Sequence, residues 1–445
     1  MFESVFIALN IKRQQTPGDF KMTRRLFSSF ALSAVLALSA GTQAQAQAKA
    51  FTLTTQSEEA KKLLREMQLR VESFQGGPQS AELARKIVAA DPNFAMGVYY
   101  LSVTTPTPAE AEKIYSQARE LAKNASDGER RFIEAMSHAR LNQGANFARS
   151  IPLLEQLAAD YPGERLPPVL LGQLYNNDNK PAQALVWFKK AQAIGTSPRI
   201  EAFIANDDLL KGNYAQARAK FEAAEKQLPK GAVPFPIRFG ITFSHLYEGN
   251  ADGAIKSLET YLDEYKATGL TQQFPEVFIW NAIGRVNLEA GRFEPALAAY
   301  KKGYESVPGS SLSEDDKKTW LGRLHHGVAR THAKMGRHKE AMEGVEQVRQ
   351  MILTGGETGR QYWPAYHYLA GYVKLEMGDG PGALEHLLQA SATDPFHLLL
   401  LGRAYEKTGR KAEAKAAYER VTASQLQGIE RALAFPEARR KALSL

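Results

Sequence analysis

The chain has 445 residues, a net charge of +8, 44% hydrophobic residues and 23% charged residues. This balance is typical of a folded globular chain and excludes a largely disordered or multi-span membrane protein. There is no cysteine, which excludes disulfides, thiolate metal sites and a cysteine nucleophile. The first 48 residues hold five basic and two acidic residues, so the remainder carries only +5 and shows no basic run. We therefore expect no nucleic-acid binding.

The beginning of the chain has the pattern of an export signal. Residues 22–48 read MTRRLFSSFALSAVLALSAGTQAQAQA, with a basic start, a short apolar stretch and alternating alanines. This pattern predicts a secretory signal peptide cleaved after Ala46 or Ala48, and a periplasmic or secreted protein with no transmembrane segment. Met22 stands two residues before the paired arginines, at the start of this pattern, so residues 1–21 are predicted to be an upstream extension outside the fold. The general secretory route and the twin-arginine route both stay open.

The rest of the chain is predicted to be all-α. From Ser57 onward, apolar residues recur at helical spacing, and no alternating strand pattern is sustained. The run Thr55-Gln56-Ser57-Glu58 predicts a capping box in which the Thr55 oxygen accepts an amide of the first helix. Gly, Asn or Pro interrupts the pattern every dozen or so residues, which predicts short helices in pairs.

Three segments, 170–191, 280–303 and 398–421, share an internal repeat. In the second segment, Gly284 and Ala296 allow two helices to approach closely, while Trp280 and Tyr300 fill the adjoining space. The pattern resembles the tetratricopeptide repeat, and weaker copies extend it over most of residues 57–421. The residues that carry the resemblance are Gly172, Tyr175, Ala184, Phe188, Ala191, Trp280, Gly284, Ala296, Tyr300, Pro308, Leu401, Gly402, Tyr405, Gly409, Ala414 and Tyr418.

The resemblance implies a right-handed α-solenoid of about ten antiparallel hairpins over residues 49–421, followed by a C-terminal capping helix over residues 422–445. It also implies a non-catalytic scaffold of the bacterial envelope that binds peptide or protein segments and needs no cofactor. In this family the first helix of each pair lines the concave surface. Applied to this sequence, that register predicts a binding groove formed by Phe239, Phe243, Asn281, Arg285, His326, Arg330, Tyr368, Tyr372 and Arg403.

The predicted groove is aromatic and basic. It suits an extended peptide with acidic side chains or a free carboxylate, because arginine pairs well with carboxylates. A structural spacer in which these positions are merely solvated stays open as an alternative. The oligomeric state is left open by the sequence.

A concentration of aromatic residues at 362–372 suggests a second function. The register set by Gly371 predicts that His367 points into the core, while Tyr368 and Tyr372 lie on an accessible face. Tyrosines four residues apart on such a face can stack on a sugar ring. The alternative hypothesis is therefore a binding protein for cell-wall or exported glycan.

Evidence for an enzyme is weaker. Four histidines, His325, His326, His332 and His338, fall in one predicted helix pair, which raises a metal-dependent enzyme as a third alternative. No Asp or Glu accompanies them at ligand spacing within that helix, so packing in the core is favoured. The sequence also lacks HExxH, GxSxG and phosphate-loop motifs. We therefore predict no catalytic residues, no metal and no cofactor.

Overall fold

The computed structural model describes residues 49–139, 146–178, 180–228, 232, 234–267, 276–310 and 312–445. Within these ranges the chain is helical and contains no strand. The helices in chain order are α1 (Glu58–Glu72), α2 (Pro78–Ala90), α3 (Ala95–Thr104), α4 (Pro108–Ala122), α5 (Asp127–His138), α6 (Phe147–Asp160), α7 (Leu166–Asn177), α8 (Pro181–Ile194), α9 (Pro198–Lys211), α10 (Tyr214–Lys226), α11 (Phe235–Tyr247), α12 (Ala251–Ala267), α13 (Val277–Glu289), α14 (Phe293–Glu305), α15 (Glu314–Lys334), α16 (His338–Thr354), the short α17 (Gly356–Gly359), α18 (Trp363–Glu376), α19 (Gly380–Leu387), α20 (Pro395–Lys407), α21 (Lys411–Ala423) and α22 (Ile429–Ser444).

The helices pair along the chain as hairpins. Helix α1 packs on α2 and α3 on α4, and consecutive helices continue to pair in this way up to α20 and α21. Each hairpin has an apolar face that only its neighbour can cover, so the hairpins stack into an array. The predicted all-α array of about ten hairpins is confirmed, and α22 follows it as an additional helix.

Close approach within the hairpins depends on glycines that face large rings. A Cβ atom on Gly402 would lie 2.4 Å from a ring carbon of Tyr418, and one on Gly284 would lie 2.9 Å from the Tyr300 ring. Both rings are buried. The predicted interlock of small and large residues is present, and an alanine at either glycine does not fit unless a ring moves.

The turns inside the hairpins use glycine for its backbone freedom. Gly291 and Gly409 follow the first helices of their hairpins and have φ angles of 77° and 76°. Side chains with a Cβ rarely adopt this left-handed conformation, whereas glycine does so without strain. The glycines therefore end one helix and let the chain reverse into the next.

The first helix is capped by a different residue from the one predicted. The Ser57 hydroxyl accepts the Ala60 amide at 3.1 Å, so Ser57 is the N-cap of α1. Thr55 instead donates its hydroxyl to the Asp91 carboxylate at 2.5 Å. The prediction that Thr55 caps the helix was wrong, because Asp91 lies at the far end of α2 and local sequence does not show this contact.

The array curls tightly enough for helices distant in the chain to touch. Arg199 of α9 donates to the Val71 carbonyl of α1 from Nε at 2.9 Å and from Nη2 at 2.7 Å. Near the same place, Arg165 pairs with Glu72 at 2.6 Å. At the other end, α22 packs on α20 and α21 and also reaches α11 and α13. The C-terminal helix, predicted to lie beyond the last hairpin, thus also crosses the inside of the array.

Candidate functional site

The inner side of the C-terminal half is lined by the first helices of five hairpins. Helix α13 contacts α15, α15 contacts α18 and α18 contacts α20. First helices meet in this way because they lie on the shorter, inner radius of the curve. We call the surface formed by α11, α13, α15, α18 and α20 the inner face. All nine residues of the predicted groove lie on these five helices.

Arg285 of α13 is at the centre of the inner face. Its side chain is buried, with 4% of the residue exposed. The guanidinium carbon lies 4.0 Å from the centre of the Phe396 ring of α20, and Nη1 lies 3.1 Å from Glu289 Oε1. Stacking on an aromatic ring and pairing with a carboxylate are the two interactions by which a buried arginine is stabilised. Arg285 therefore joins hairpins that are far apart in the chain.

Arg330, Tyr368 and Tyr372 form a polar network beside it. Arg330 Nη1 donates to the Tyr368 hydroxyl at 2.7 Å, and the Tyr372 hydroxyl donates to Glu289 at 3.3 Å. Burial raises the pKa of the Tyr368 and Tyr372 hydroxyls, so both stay protonated and can donate. The network thus links Arg285 to Tyr372 through Glu289, while Arg330 is held by the neutral Tyr368 hydroxyl.

Two histidines flank Tyr368. The His326 ring is nearly parallel to the Tyr368 ring, with centroids 6.1 Å apart. The His397 ring stacks on the Tyr368 ring, with centroids 4.1 Å apart. Burial, together with the nearby His397 and Arg323, lowers the pKa of His326 to about 3. Burial also lowers the pKa of His397. Both rings are therefore neutral at pH 7.

Arg403 of α20 pairs with α22. Its Nε donates to Glu437 Oε1 at 2.8 Å and its Nη2 to Glu437 Oε2 at 2.5 Å, a two-point contact of planar groups. Burial alone would raise the pKa of the Glu437 carboxyl, but Arg403 outweighs it and the pKa is lowered. The carboxylate is therefore held in its charged form against the inner face.

The three other predicted residues lie at the edge of this network. Phe239 is buried 4.0 Å from the Phe235 ring, centre to centre. Phe243 is partly exposed and meets Phe239 edge to face at 5.7 Å. Asn281, one helical turn before Arg285, is also partly exposed.

The family of the chain follows from its repeats. A model described as tetratricopeptide repeat matches residues 244–311 and 368–426, which include four of the five inner hairpins in part or whole. The chain contains tetratricopeptide repeats in these two segments. Such repeats generally mediate protein–protein interaction or scaffolding. No curated protein matches this chain.

Several solved structures are similar in fold. PilW, a widely conserved type IV pilus biogenesis factor, is 18% identical, with 50% of this chain and 92% of that chain covered at a TM-score of 0.39. A tetratricopeptide repeat protein from Parabacteroides merdae is 12% identical, with coverages of 63% and 98% and a TM-score of 0.40. Yeast Tom70 is 11% identical, with coverages of 87% and 88% and a TM-score of 0.42.

The tetratricopeptide register places the predicted residues on the correct helices, but the predicted accessibility of the tyrosines was wrong. Tyr372 is fully buried and Tyr368 nearly so, whereas His367, predicted to point inward, is partly exposed. The reason is the tight curl of the array, which covers the inner face of α18 with neighbouring hairpins. The surface also differs from an open basic groove, because Arg285 pairs with Glu289 and Arg403 pairs with Glu437.

Four residues of this tetratricopeptide protein that shape the inner face were missed by sequence reasoning. Arg431 of α22 is buried and donates from Nη1 to the Tyr247 hydroxyl of α11 at 2.7 Å. Glu430 interacts electrostatically with Arg285, and Glu437 pairs with Arg403. One available signal was the spacing of Glu430 and Glu437, since residues seven apart lie on one side of a helix.

A cluster of aromatic residues lies at the other side of α18. Trp363 and Tyr366 meet edge to face at 5.2 Å, and Tyr366 meets His367 at 5.2 Å. His367 and His386 are joined by a hydrogen bond between their Nδ1 atoms at 3.0 Å, so one ring donates and the other accepts. Trp363, Tyr366 and both histidines are partly exposed.

The histidine-rich helix pair does not bring its four histidines together with acidic ligands. Within the part of the chain that the structure describes, no three His, Asp or Glu side chains are grouped so that they could hold a metal ion. His325 and His332 are half-buried on α15, and His326 belongs to the inner face. Among the same described residues, no helix is both long and apolar enough to cross a membrane. The predicted signal peptide and upstream extension lie outside the described residues.

Proposed function

We propose that this tetratricopeptide repeat protein is a non-catalytic scaffold of the bacterial envelope that holds a protein segment on its inner face. The observation that carries the proposal is the two-point pairing of Arg403 with Glu437, since it joins the inner face to a helical segment that comes from outside the hairpins. The inner face offers further contacts at the partly exposed Phe243, Asn281, Arg323 and His326. Aromatic and arginine side chains are enriched at the centres of protein interfaces.

The experiment compares an inner-face variant with a control in the same hairpin. The full chain is used as bait for cross-linking and quantitative capture from an envelope extract, with Asn281→Lys as the inner-face variant. Lys301→Glu, on the exposed side of α14, is the matched control. We expect a stoichiometric partner with the wild-type chain and the control, and its loss with Asn281→Lys. Equal capture by all three chains, with unchanged melting temperatures, would contradict the proposal.

The envelope location is supported by the signal-like pattern of residues 22–48. We expect the protein to be found in the periplasmic fraction, with a mature N-terminus at Gln47 or Lys49. N-terminal sequencing of the protein purified from its own host checks this expectation. An N-terminus at Met1 or Met22 in a cytoplasmic fraction would overturn it.

A second candidate function is binding of cell-wall or exported glycan. It is favoured by the partly exposed rings of Trp363 and Tyr366, because flat aromatic surfaces stack on sugar rings. Tyr368 and Tyr372 are not part of this candidate glycan site, because both are buried. A polysaccharide pull-down should lose signal in a Trp363→Ala, Tyr366→Ala variant, whereas retention by a glycan-free resin would reveal non-specific binding.

A further inference from the structure

The inner face is partly occupied by the protein's own C-terminal helix. Helix α22 bridges two parts of the core that are otherwise separate, since Ala432 packs with residues of α11 and α13 while Ala434 and Ala438 pack with residues of α18 and α20. These three alanines are fully buried. They bring the helix close to the inner face but contribute little apolar area.

Much of the specific contact made by α22 is polar. Glu437 pairs with Arg403, Arg431 donates to Tyr247, and Lys441 Nζ lies 3.0 Å from both carboxylate oxygens of Glu406. Contacts inside the hairpins, by contrast, are dominated by large buried rings such as Tyr300 and Tyr418. Helix α22 also packs Ile429, Leu433 and Phe435, each partly buried, against the core. A contact surface that combines polar and apolar contacts in this way resembles those of transient complexes.

The two carboxylates of α22 define what the inner face recognises. Glu430 lies within the electrostatic reach of Arg285 and Arg323, and Glu437 pairs with Arg403. Seven residues correspond to about two turns, so both carboxylates project from one side of the helix. On this side, α22 presents one carboxylate in direct contact with Arg403 and a second one two turns earlier, with Ala432 and Ala434 between them.

The connection to α22 allows it to leave the inner face while the hairpins stay folded. Five residues, 424–428, join it to α21, and all ten hairpins are complete without it. At the far end of α22, Lys441 still pairs with Glu406, whereas Leu443 is 82% exposed. A short tether keeps the helix at a local concentration in the millimolar range, which favours the occupied state when no competitor is present.

We infer that α22 is an internal ligand of the inner face, and that the partner is a protein presenting an α-helix with carboxylates at the same spacing, which displaces it. This inference rests on the proposed scaffold function and names the chemistry of its partner. The partner helix carries carboxylates seven residues apart, with small residues between them that fit beneath the inner-face arginines.

A charge exchange between Arg403 and Glu437 tests the inference in the full chain. Four chains are compared: wild type, Arg403→Glu, Glu437→Arg, and the double variant. Each is titrated with a fluorescent peptide of residues 427–445, either of native sequence or with Glu437→Arg. In each single variant, two like charges repel α22 from the inner face and open it.

The expected result is a crossed pattern of affinity. The Glu437→Arg chain should bind the native peptide about tenfold or more tightly than the wild-type chain does, and the Arg403→Glu chain should prefer the Glu437→Arg peptide by a similar factor. The wild type and the double variant, whose own helices are paired, should bind neither peptide well. Equal binding of both peptides by all four folded chains would overturn the inference.

A second measurement covers the case in which the single variants fail to fold. Hydrogen exchange of the wild-type chain should show α22 amides exchanging about a hundredfold faster than those of α13, because α22 opens separately. Equal exchange of α22 and α13 would mean that α22 opens only with the whole array, and would overturn the inference. If the crossed pattern of peptide binding is not found but Asn281→Lys still abolishes capture from extract, the proposed scaffold function stands. Only the inference that the partner presents a helix resembling α22 is then overturned.

Discussion

At the scale of single residues, the fit of glycines against rings decides whether the hairpins close. Gly402 lies where a Cβ would meet the buried Tyr418 ring at 2.4 Å, and the Tyr418 hydroxyl is fixed by its bond to Glu406 at 2.7 Å. We expect Gly402→Ala to lower the free energy of unfolding by about 1–3 kcal/mol through overpacking. Chemical denaturation measured by circular dichroism checks this value.

The same substitution at Gly322 is the matched control. Gly322 also lies inside a helix, α15, but its nearest neighbour would be 3.8 Å from the new Cβ atom. An alanine there relieves the entropic cost of glycine and should raise stability by about 0.5–1 kcal/mol. If both variants changed stability in the same direction, steric contact with Tyr418 would not be the cause.

The neutral histidine of the inner face makes stability depend on pH. His326 has a pKa of about 3 in the folded chain, against a usual value of 6.5. Below about pH 6.5 the unfolded chain therefore takes up a proton that the folded chain does not, and stability falls as the pH drops toward 3. His397 adds a change of the same sign, whereas Glu430, whose pKa is raised by burial and by Asp394, opposes it. Arg285 and Arg323 also face this group.

A His326→Gln variant isolates the contribution of one ring. Because glutamine does not titrate, the melting temperature of the variant should fall less steeply than that of the wild type between pH 7 and pH 4.5. Differential scanning fluorimetry over this range measures both slopes. Parallel curves for the two proteins would show that His326 does not become protonated on unfolding at these pH values.

At the scale of helices, caps and turns fix where each element begins and ends. Asp394 caps α20, accepting the amides of Phe396 at 2.8 Å and His397 at 3.1 Å. Asp394→Ala should cost about 1 kcal/mol of stability because these amides lose their acceptor. Asp394→Ser, which keeps an acceptor oxygen, should recover most of the loss in the same denaturation assay; equal losses would exclude the capping role.

The helices and turns were predictable from the sequence where they depend on residues of the same hairpin. Helical periodicity, turn glycines such as Gly409 and the pairing of Gly284 with Tyr300 all act within one hairpin, so they predict the array. The contact of Thr55 with Asp91 and the exposure of His367 depend on how neighbouring hairpins lie. The return of α22 to the inner face rests on residues far apart in the chain, such as Arg431 and Tyr247, and no repeat pattern encodes it.

At the scale of the whole molecule, α22 should couple hairpins that a simple array leaves independent. Arg431→Ala removes the hydrogen bond to Tyr247, 184 residues away in the chain. We expect amide exchange in α11 to become about tenfold faster, since buried hydrogen bonds of charged groups stabilise by about 1.5–3 kcal/mol. Exchange in α1 to α4 should not change, because stacked repeats contact only their neighbours.

The variant Tyr247→Phe provides the reciprocal check by mass spectrometry. It removes only the hydroxyl that accepts from Arg431, and it should accelerate amide hydrogen exchange in α22 as well as in α11. Acceleration confined to α11 would show that the two helices are not energetically linked.

The two-ended attachment of α22 has a consequence for how such a chain can change in evolution. Solenoids often gain or lose one unit by duplication or deletion, since every unit meets only its neighbours. Here, an inserted or deleted hairpin between α11 and α20 would alter the span from Tyr247 to Arg403, and one rigid helix could no longer meet both. The number of units in this part of the molecule is therefore fixed by geometry, and its variants should differ by substitutions and loop changes instead.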